Sequence, residues 1–303
     1  MRMVSVIVPV LNGARTIERA LDAILAQEYP ATRFEVTPAA LARYGARIRV
    51  LTEKTRGAAA ARNAGVRGAR GPDLAFTDAD CVPEPTWLRE LVAFAATNEW
   101  AEFVGGRIVA YRPTSSVARF AERLMDQQRA MCESRPPYAI TANLLMRKAS
   151  IHRLGMFDES LLRGQDVDLS FRGYFKHGSR FGYAERAVVG HVNPSTAAQL
   201  FLKGLQHGEA AAAILERYAT EVGETPWRRC TAGRLYAAIG GYLRRGVGSA
   251  CLQALRPSEA GRALMIESFC EAAFRTGKQV GLVRGTLRRA RHRPGRPRPS
   301  VAA

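Results

Sequence analysis

Asp73-Leu74-Ala75-Phe76-Thr77-Asp78-Ala79-Asp80 is the stretch of sequence that decides the fold. Its first five residues are predicted to form a strand, and two carboxylates follow where that strand would end. Carboxylates beside a buried strand need partners. A hard divalent ion such as Mg²⁺ or Mn²⁺ would provide one, and capping of the next helix, for which Asp80 is better placed, would provide another. Spacing alone does not separate these two interpretations.

Strands and helices alternate on both sides of this stretch. Val4–Val8 is a nearly continuous β-branched run, typical of a strand buried on both faces. Further strands are predicted at residues 48–51, 105–111, 139–146 and 181–189, and helices at 17–27, 58–68, 117–131 and 200–218, after Thr86 and after Asp166. This order predicts an α/β fold with a mainly parallel sheet. Such sheets bind ligands at the carboxyl ends of their strands, where Asp78 and Asp80 fall.

The composition excludes several classes of protein. The chain has 303 residues, of which 47% are hydrophobic and 24% charged, so it can bury a core and is not disordered, collagenous or a disulfide scaffold. The longest stretch without a charged residue, residues 187–202, is too short and too polar to span a membrane. Five scattered cysteines without a Cys-x-x-Cys pair, and no signal peptide at the N-terminus, predict a cytoplasmic protein.

The positive charge is concentrated in the last quarter of the chain. The net charge is +18, and residues 226–303 hold 16 Lys/Arg against 3 Asp/Glu. We expect a domain at residues 1–220, basic amphipathic helices at 221–283 with Ser258 as a cap and Gly277 as an end, and a disordered tail at 284–303. Such a segment suits an anionic membrane surface, and a helix pair packed on the rest of the protein fits equally well. Nucleic acid ranks third, because no recognition module is present.

Three further residues could carry chemistry. Asp166 lies at a predicted loop-to-helix junction, where it could be a general base or, more commonly, a helix cap. His191 follows a strand and is a candidate metal ligand or an ordinary loop histidine. Arg62 follows Gly57 and four alanines, so it could bind phosphate at a helix start or belong to a plain alanine-rich core helix.

Taken together, these motifs resemble those of family 2 glycosyltransferases, which have the GT-A fold. The resemblance covers about residues 3–215. The stretches that carry it are Ser5–Asn12, Gly57–Gly65, Phe76–Pro83, Trp87-Leu88, Gly155–Glu159 and Gly164-Gln165-Asp166-Val167-Asp168. The resemblance implies an inverting, metal-dependent transfer of a sugar from a UDP- or GDP-sugar to an acceptor hydroxyl. With the basic C-terminal helices, it favours a lipid-linked or polymeric glycan as acceptor, at the inner face of the cell membrane.

The resemblance also implies roles for individual residues. Asp78 and Asp80 correspond to the family's Asp-x-Asp pair, which holds the metal and the donor's ribose and diphosphate. Asp80 and His191 are then the expected ligands of Mn²⁺ or Mg²⁺, and Asp166 is the catalytic base. Pro9, Asn12 and Arg62 correspond, with Asp78, to residues of the nucleotide pocket.

The sequence departs from the family after its first helix. Family members have a second strand that ends in an Asp-Asp-Gly-Ser type of run, but here Arg33–Val36 passes directly to Thr37–Leu41, which resembles the start of a helix. Phe34–Val36 is predicted to form a strand stub at best. Gln165 also replaces the usual Glu. The alternative function is therefore a binding or scaffold protein with a degenerate transferase fold.

Overall fold

The computed structural model describes residues 2–11, 13–30, 34–37, 44, 47–225, 240 and 259–291. The chain divides into two compact units, Met1–Thr196 and Ala197–Ala303. The boundary differs from the expected limit near residue 220, because the helix predicted at 200–218 belongs to the second unit.

The first unit is built on a seven-stranded sheet with the order β2-β1-β3-β6-β5-β7-β4. Three neighbouring pairs are parallel (β1 with β2, β1 with β3, β5 with β7) and three are antiparallel (β3 with β6, β5 with β6, β4 with β7). The α/β class is confirmed, but the sheet is mixed rather than mainly parallel. The strands are Val4–Ile7 (β1), Phe34–Thr37 (β2), Asp73–Phe76 (β3), Cys81–Pro83 (β4), Phe103–Ala110 (β5), Leu144–Arg147 (β6) and Phe181–His191 (β7).

Helices cover both faces of this sheet. They are Ile17–Leu25 (α1), Ala58–Gly68 (α2), Trp87–Thr97 (α3), Ser116–Ala121 (α4), Lys148–Arg153 (α5) and Gln165–His177 (α6). Val4 and Val6 pack in one apolar core with residues of α1 and α3, whereas Ile7 packs in a second core with residues of α2 and α6. This division follows from the alternation of side chains along a strand. It explains why β1 is apolar on both faces.

The second strand is present. Phe34–Thr37 pairs in parallel with all four residues of β1, so the prediction of a stub at best is wrong in this respect. The predicted strand at Ile48–Leu51 does not form. Ile48 is buried in the core without a ladder, and Leu51 lies against Gly68 of α2, so packing rather than strand pairing accounts for this apolar run.

Other boundaries differ more locally. The predicted helix at 117–131 is divided into α4, a 3₁₀-helical turn at Glu122–Met125 and a π-helical turn at Arg129–Glu133. The predicted strand at 139–146 is replaced by a 3₁₀ turn, Thr141–Asn143, that leads into β6. The helix at 58–68 is confirmed at both ends.

The second unit contains two long helices that pack closely. They are Ala197–Arg217 (α7) and Glu259–Arg291 (α9), and a short helix, Ala219–Val222 (α8), follows α7. A methyl group at Gly277 or Gly281 would collide with the backbone of α7, so only glycine permits this approach. Gly277 was predicted to end a helix and instead lies inside α9.

The end of α9 corrects a second prediction, because residues 284–291 are helical where a disordered tail was expected from 284. The helix expected around residues 235–252 lies almost wholly outside the described residues. Within the described part of the chain, no helix is long and apolar enough to cross a membrane.

Asn143 holds together the strands that carry the candidate site. Its side chain is fully buried, its amide nitrogen donates to the carbonyl oxygens of Arg107 (2.9 Å) and Ala187 (2.8 Å), and its amide oxygen accepts from Trp87 Nε1 (2.8 Å). One side chain therefore connects β5, β7 and α3.

We expect Asn143→Leu to lower the free energy of unfolding by roughly 3–5 kcal/mol, because it removes three hydrogen bonds and leaves the buried indole N–H of Trp87 without this partner. Urea unfolding followed by tryptophan fluorescence measures the change. Asn98→Leu is the matched control, since half-buried Asn98 donates only to Phe94 O in α3 and to Thr97. Equal losses in the two variants would contradict this role for Asn143.

Candidate active site

A tight turn between β3 and β4 carries both carboxylates of the acidic pair. The N–H of Cys81 donates to the carbonyl oxygen of Asp78 at 3.0 Å, which closes the turn. β4 then pairs with β7 so that Cys81 lies opposite His191, and the N–H of Val192 donates to the carbonyl oxygen of Asp80 at 2.9 Å. The strand pairing therefore brings His191 beside Asp80, although 111 positions separate them.

The geometry of Asp80 and His191 fits a divalent cation. Asp80 Oδ2 and His191 Nε2 lie 3.7 Å apart. Asn193 Nδ2 donates to Ala118 O (3.1 Å), so its Oδ1, 2.8 Å from His191 Nδ1, accepts the imidazole proton. His191 Nε2 then faces the Asp80 carboxylate, and an imidazole nitrogen beside a carboxylate oxygen can hold a cation with it. The amide behind the imidazole is the usual support for a metal-binding histidine.

Cys81 completes the cluster in space but is a poor ligand for a hard cation. An Asp80 oxygen, a His191 nitrogen and the Cys81 sulfur all lie within 4.8 Å of one another. Burial and the nearby carboxylates of Asp78 and Asp80 raise the pKa of the Cys81 thiol well above its ordinary value. Oxygen and nitrogen ligands suit Mg²⁺ or Mn²⁺ better than this sulfur does.

Asp78 is held by a buried arginine. Arg62 Nη2 donates to Asp78 Oδ1 at 2.7 Å, and the Arg62 side chain is almost entirely buried. Its guanidinium lies over the ring of Phe157, 5.8 Å from the centroid, and its Nε is buried without a hydrogen-bond partner. Arg62 therefore pairs with the carboxylate of Asp78, and its Nε–H is a further donor beside the site.

Asn63, the neighbour of Arg62, fixes the loop before α6. Its amide nitrogen donates to Phe157 O and Glu159 Oε1, both at 2.8 Å, and its oxygen accepts from the N–H of Phe157 at 3.0 Å. Gly65 brings α2 close to the sheet, since a Cβ there would lie 2.5 Å from Ile7. The Arg62-Asn63 motif therefore links the acidic turn to a second loop, which a plain core helix would not do.

Asp166 lies in the first turn of α6, behind Gly164 in the left-handed conformation (φ 76°). Its Oδ1 accepts from the N–H of Val167 at 2.9 Å. Burial raises the pKa of Asp166 above its ordinary value, while the positive charge of Arg62 and the Val167 N–H oppose this rise. The charge of Asp78 adds to it. The charges of the Arg62–Asp78 pair therefore act on the carboxylate that was predicted as a base.

The remaining predicted residues are less defined. Pro9 is half-buried two residues after the end of β1, at the same end of the sheet as the acidic turn. Asn12 lies outside the described residues.

Two residues near the site were not predicted, Asn193 and Tyr138. Asn193 stands two residues after His191, and that spacing was the available signal. Burial and the charge of Asp166 raise the pKa of Tyr138, which no motif marks.

Comparison with known proteins decides the family. The sequence profile described as "Glycosyl transferase family 2" matches residues 5–155, about half of the chain. The chain belongs to glycosyl transferase family 2. Glycosyltransferase AglE of Haloferax volcanii is 32% identical to this family 2 chain over 181 residues, which cover 54% of the chain and 59% of AglE. The pre-mycofactocin glycosyltransferase of Mycobacterium tuberculosis is 30% identical over 172 residues, which cover 54% of the chain and 36% of that protein.

The matched region therefore spans less than two thirds of either relative. Among solved structures, S. aureus TarS 1–349 in complex with UDP-GlcNAc aligns with a TM-score of 0.53 at 15% identity and covers 95% of this chain and 92% of that one. A likeness at that identity concerns the fold alone, and it confirms the GT-A fold of this family 2 protein.

We expect Mn²⁺ to bind at Asp80 and His191, as measured by electron paramagnetic resonance of free Mn²⁺. Asp80→Asn and His191→Ala should each weaken binding at least tenfold, and Asn193→Leu should weaken it by roughly tenfold by releasing the imidazole. Glu90→Gln, a carboxylate on α3 that pairs with Arg89, is the control and should bind as the wild type does. Undiminished binding by Asp80→Asn would rule out this site.

Proposed function

We propose that this protein is an inverting, metal-dependent glycosyltransferase that moves a sugar from a nucleotide-diphosphate donor to an acceptor hydroxyl. One observation carries the proposal: the buried Arg62 is ion-paired with Asp78, the carboxylate of the donor side. The positive charge of Arg62 also lowers the pKa of Asp166, the candidate base, against the rise that burial causes. Asp80 and His191 adjoin them through the turn after β3.

The chemistry follows from these positions. The oxygen of the acceptor attacks the anomeric carbon, the bond from that carbon to the diphosphate breaks, and the nucleoside diphosphate leaves with the bonding electrons. Asp166 takes the proton of the acceptor hydroxyl as the new bond forms. A cation held by Asp80 and His191 would neutralise the leaving diphosphate. A single displacement inverts the configuration of the sugar, and no covalent sugar–protein intermediate is needed.

The donor side is supported by position and by analogy. Pro9, Asn12, Arg62 and Asp78 are the proposed nucleotide-pocket residues. The solved TarS structure of similar fold contains UDP-GlcNAc, which makes a UDP-sugar the first donor to test, with a GDP-sugar second. The Asp-Asp-Gly-Ser type of run is absent after β2, where Pro38-Ala39-Ala40 follows Thr37. Base and ribose contacts must therefore come from elsewhere in the chain.

The acceptor in this proposal is a lipid-linked or polymeric glycan at the inner face of the cell membrane, as in the biosynthesis of cell-envelope polysaccharides. The concentration of positive charge in residues 226–303 supports this location, because anionic lipids attract basic segments. The second candidate function, a scaffold with a degenerate transferase fold, is favoured by the absent acidic run alone. A scaffold would bind no nucleotide in a metal-dependent way.

We expect UDP with Mn²⁺ to raise the apparent Tm of the wild type, since a ligand that binds only the native state stabilises it. Asp80→Asn should lose this shift. Asp166→Asn should keep the shift but lose roughly 10²–10⁴-fold in the rate of UDP release from a UDP-sugar, the usual contribution of a general base.

Glu90→Gln again serves as the control and should behave as the wild type. Normal turnover in Asp166→Asn would contradict its role as the base. No metal-dependent Tm shift with any nucleotide diphosphate in the wild type would favour the scaffold.

The acid limb of the pH profile of kcat/KM should report Asp166. Asp166 acts as a base only when it is ionised, and its pKa is raised. As the pH decreases, activity should therefore begin to fall at a pH above the ordinary pKa of a carboxyl group. Arg62→Gln removes the charge that favours the carboxylate and leaves Asp78 uncompensated. Both effects raise the pKa of Asp166, so the limb should move to higher pH.

Arg67→Gln is the matched control, because Arg67 lies on the same helix but is exposed and pairs with Glu53 and Glu159. It should leave the limb in place, and Arg62→Lys, which keeps the charge, should keep the limb close to its wild-type pH. An acid limb at the same pH in Arg62→Gln would show that another group controls it.

A further inference from the structure

An exposed apolar line runs along the outer side of α9. Phe269, Val280 and Leu287 are 63%, 39% and 44% exposed, and all three belong to the most exposed large apolar side chains of the described residues. They are separated by eleven and seven residues, which are close to whole numbers of helical turns, so they lie on one side of the helix. We call these three side chains the α9 stripe. It is about 27 Å long.

The opposite side of α9 is occupied by its contact with α7. Phe274, Gly277 and Gly281 approach the backbone of α7, and Cys270 and Leu282 are buried. The α9 stripe therefore does not serve the packing of this helix pair. The three side chains lie about 16 and 10 Å apart along the axis, so they form a line of separate apolar groups on one side of the helix.

Positive charge lies beside the stripe at its C-terminal end. Arg284 and Arg288 flank Leu287 in sequence and share a single carboxylate, Glu209, at 3.2 and 3.5 Å. One carboxylate cannot neutralise two guanidinium groups, and both side chains are about half exposed. Over its whole length α9 has seven Lys/Arg and three Asp/Glu. The excess of positive charge identifies an anionic partner.

We propose that the α9 stripe is a membrane-docking surface, on which α9 lies in the interface of an anionic lipid bilayer. The apolar side chains enter the boundary between head groups and acyl chains, and Arg284 and Arg288 remain at the level of the lipid phosphates. The surface gives a structural basis to the membrane location in the proposed function. It is independent of sugar transfer, because it needs neither donor nor metal.

Flotation of the full-length protein with vesicles, without donor or metal, tests the proposal. The wild type should bind phosphatidylcholine vesicles containing about 30% phosphatidylglycerol, bind pure phosphatidylcholine much less, and lose binding in 0.5 M NaCl. Phe269→Asp and Leu287→Asp should each lower the partition coefficient about tenfold or more. Val50→Asp is the matched control, since Val50 is 42% exposed in the first unit, and it should bind like the wild type.

A second measurement avoids variants that add charge. Phe269→Trp should show a blue shift of its added fluorescence on anionic vesicles and quenching by brominated lipid. Wild-type binding by both Asp variants, or an unquenched Phe269→Trp, would overturn the proposal and indicate another basic segment of the chain. A wild-type dimer that becomes monomeric in Leu287→Asp by light scattering would also overturn it, in favour of a second copy of this chain. UDP release is measured separately, so failure of docking is distinguishable from failure of the transferase function.

Discussion

The short connection between β3 and β4 is the constraint on which the site depends. The two strands hold the third and seventh positions of the sheet, which in a flat sheet would be about 19 Å apart. Five residue steps from Phe76 to Cys81 span at most about 17 Å when fully extended, and the turn closed by Asp78 and Cys81 shortens them further. The sheet must therefore curl until the end of β7 lies beside the end of β3. That curl places His191 next to Asp80.

This constraint explains how far the sequence could predict the structure. The strand before Asp78 and the helix at 58–68 are visible as local patterns, and so are Asp80 and Asp166 as candidates. The pairing of β2 with β1 cannot be predicted from the sequence of Phe34–Thr37. These four residues form a strand because they can hydrogen-bond to β1. Conversely, Ile48–Leu51 has strand propensity, but Leu51 packs against Gly68 of α2 and the segment joins no strand. Tertiary contacts override propensity in both cases.

Long-range partners account for the rest of the site. The sequence marks Arg62 as a phosphate-binding candidate, yet its position beside Asp78 depends on the packing of α2 against β1 through Gly65. The contacts of Asn63 and Asn143 cannot be read from local sequence, because their side-chain partners lie at least 94 and 36 positions away. Gly277 is a further example. Glycine often ends helices, but here it lies inside α9 and allows α9 to approach the backbone of α7.

The buried Arg62 is ion-paired with Asp78, and its charge also lowers the pKa of Asp166. If a donor diphosphate binds near Asp78, it adds negative charge beside Arg62 and competes with Asp166 for that positive field. A cation bound at Asp80 and His191 would offset the added charge and limit the rise in the pKa of Asp166. In the proposed mechanism, loss of this cation or of the Arg62 charge would therefore raise the pKa of Asp166.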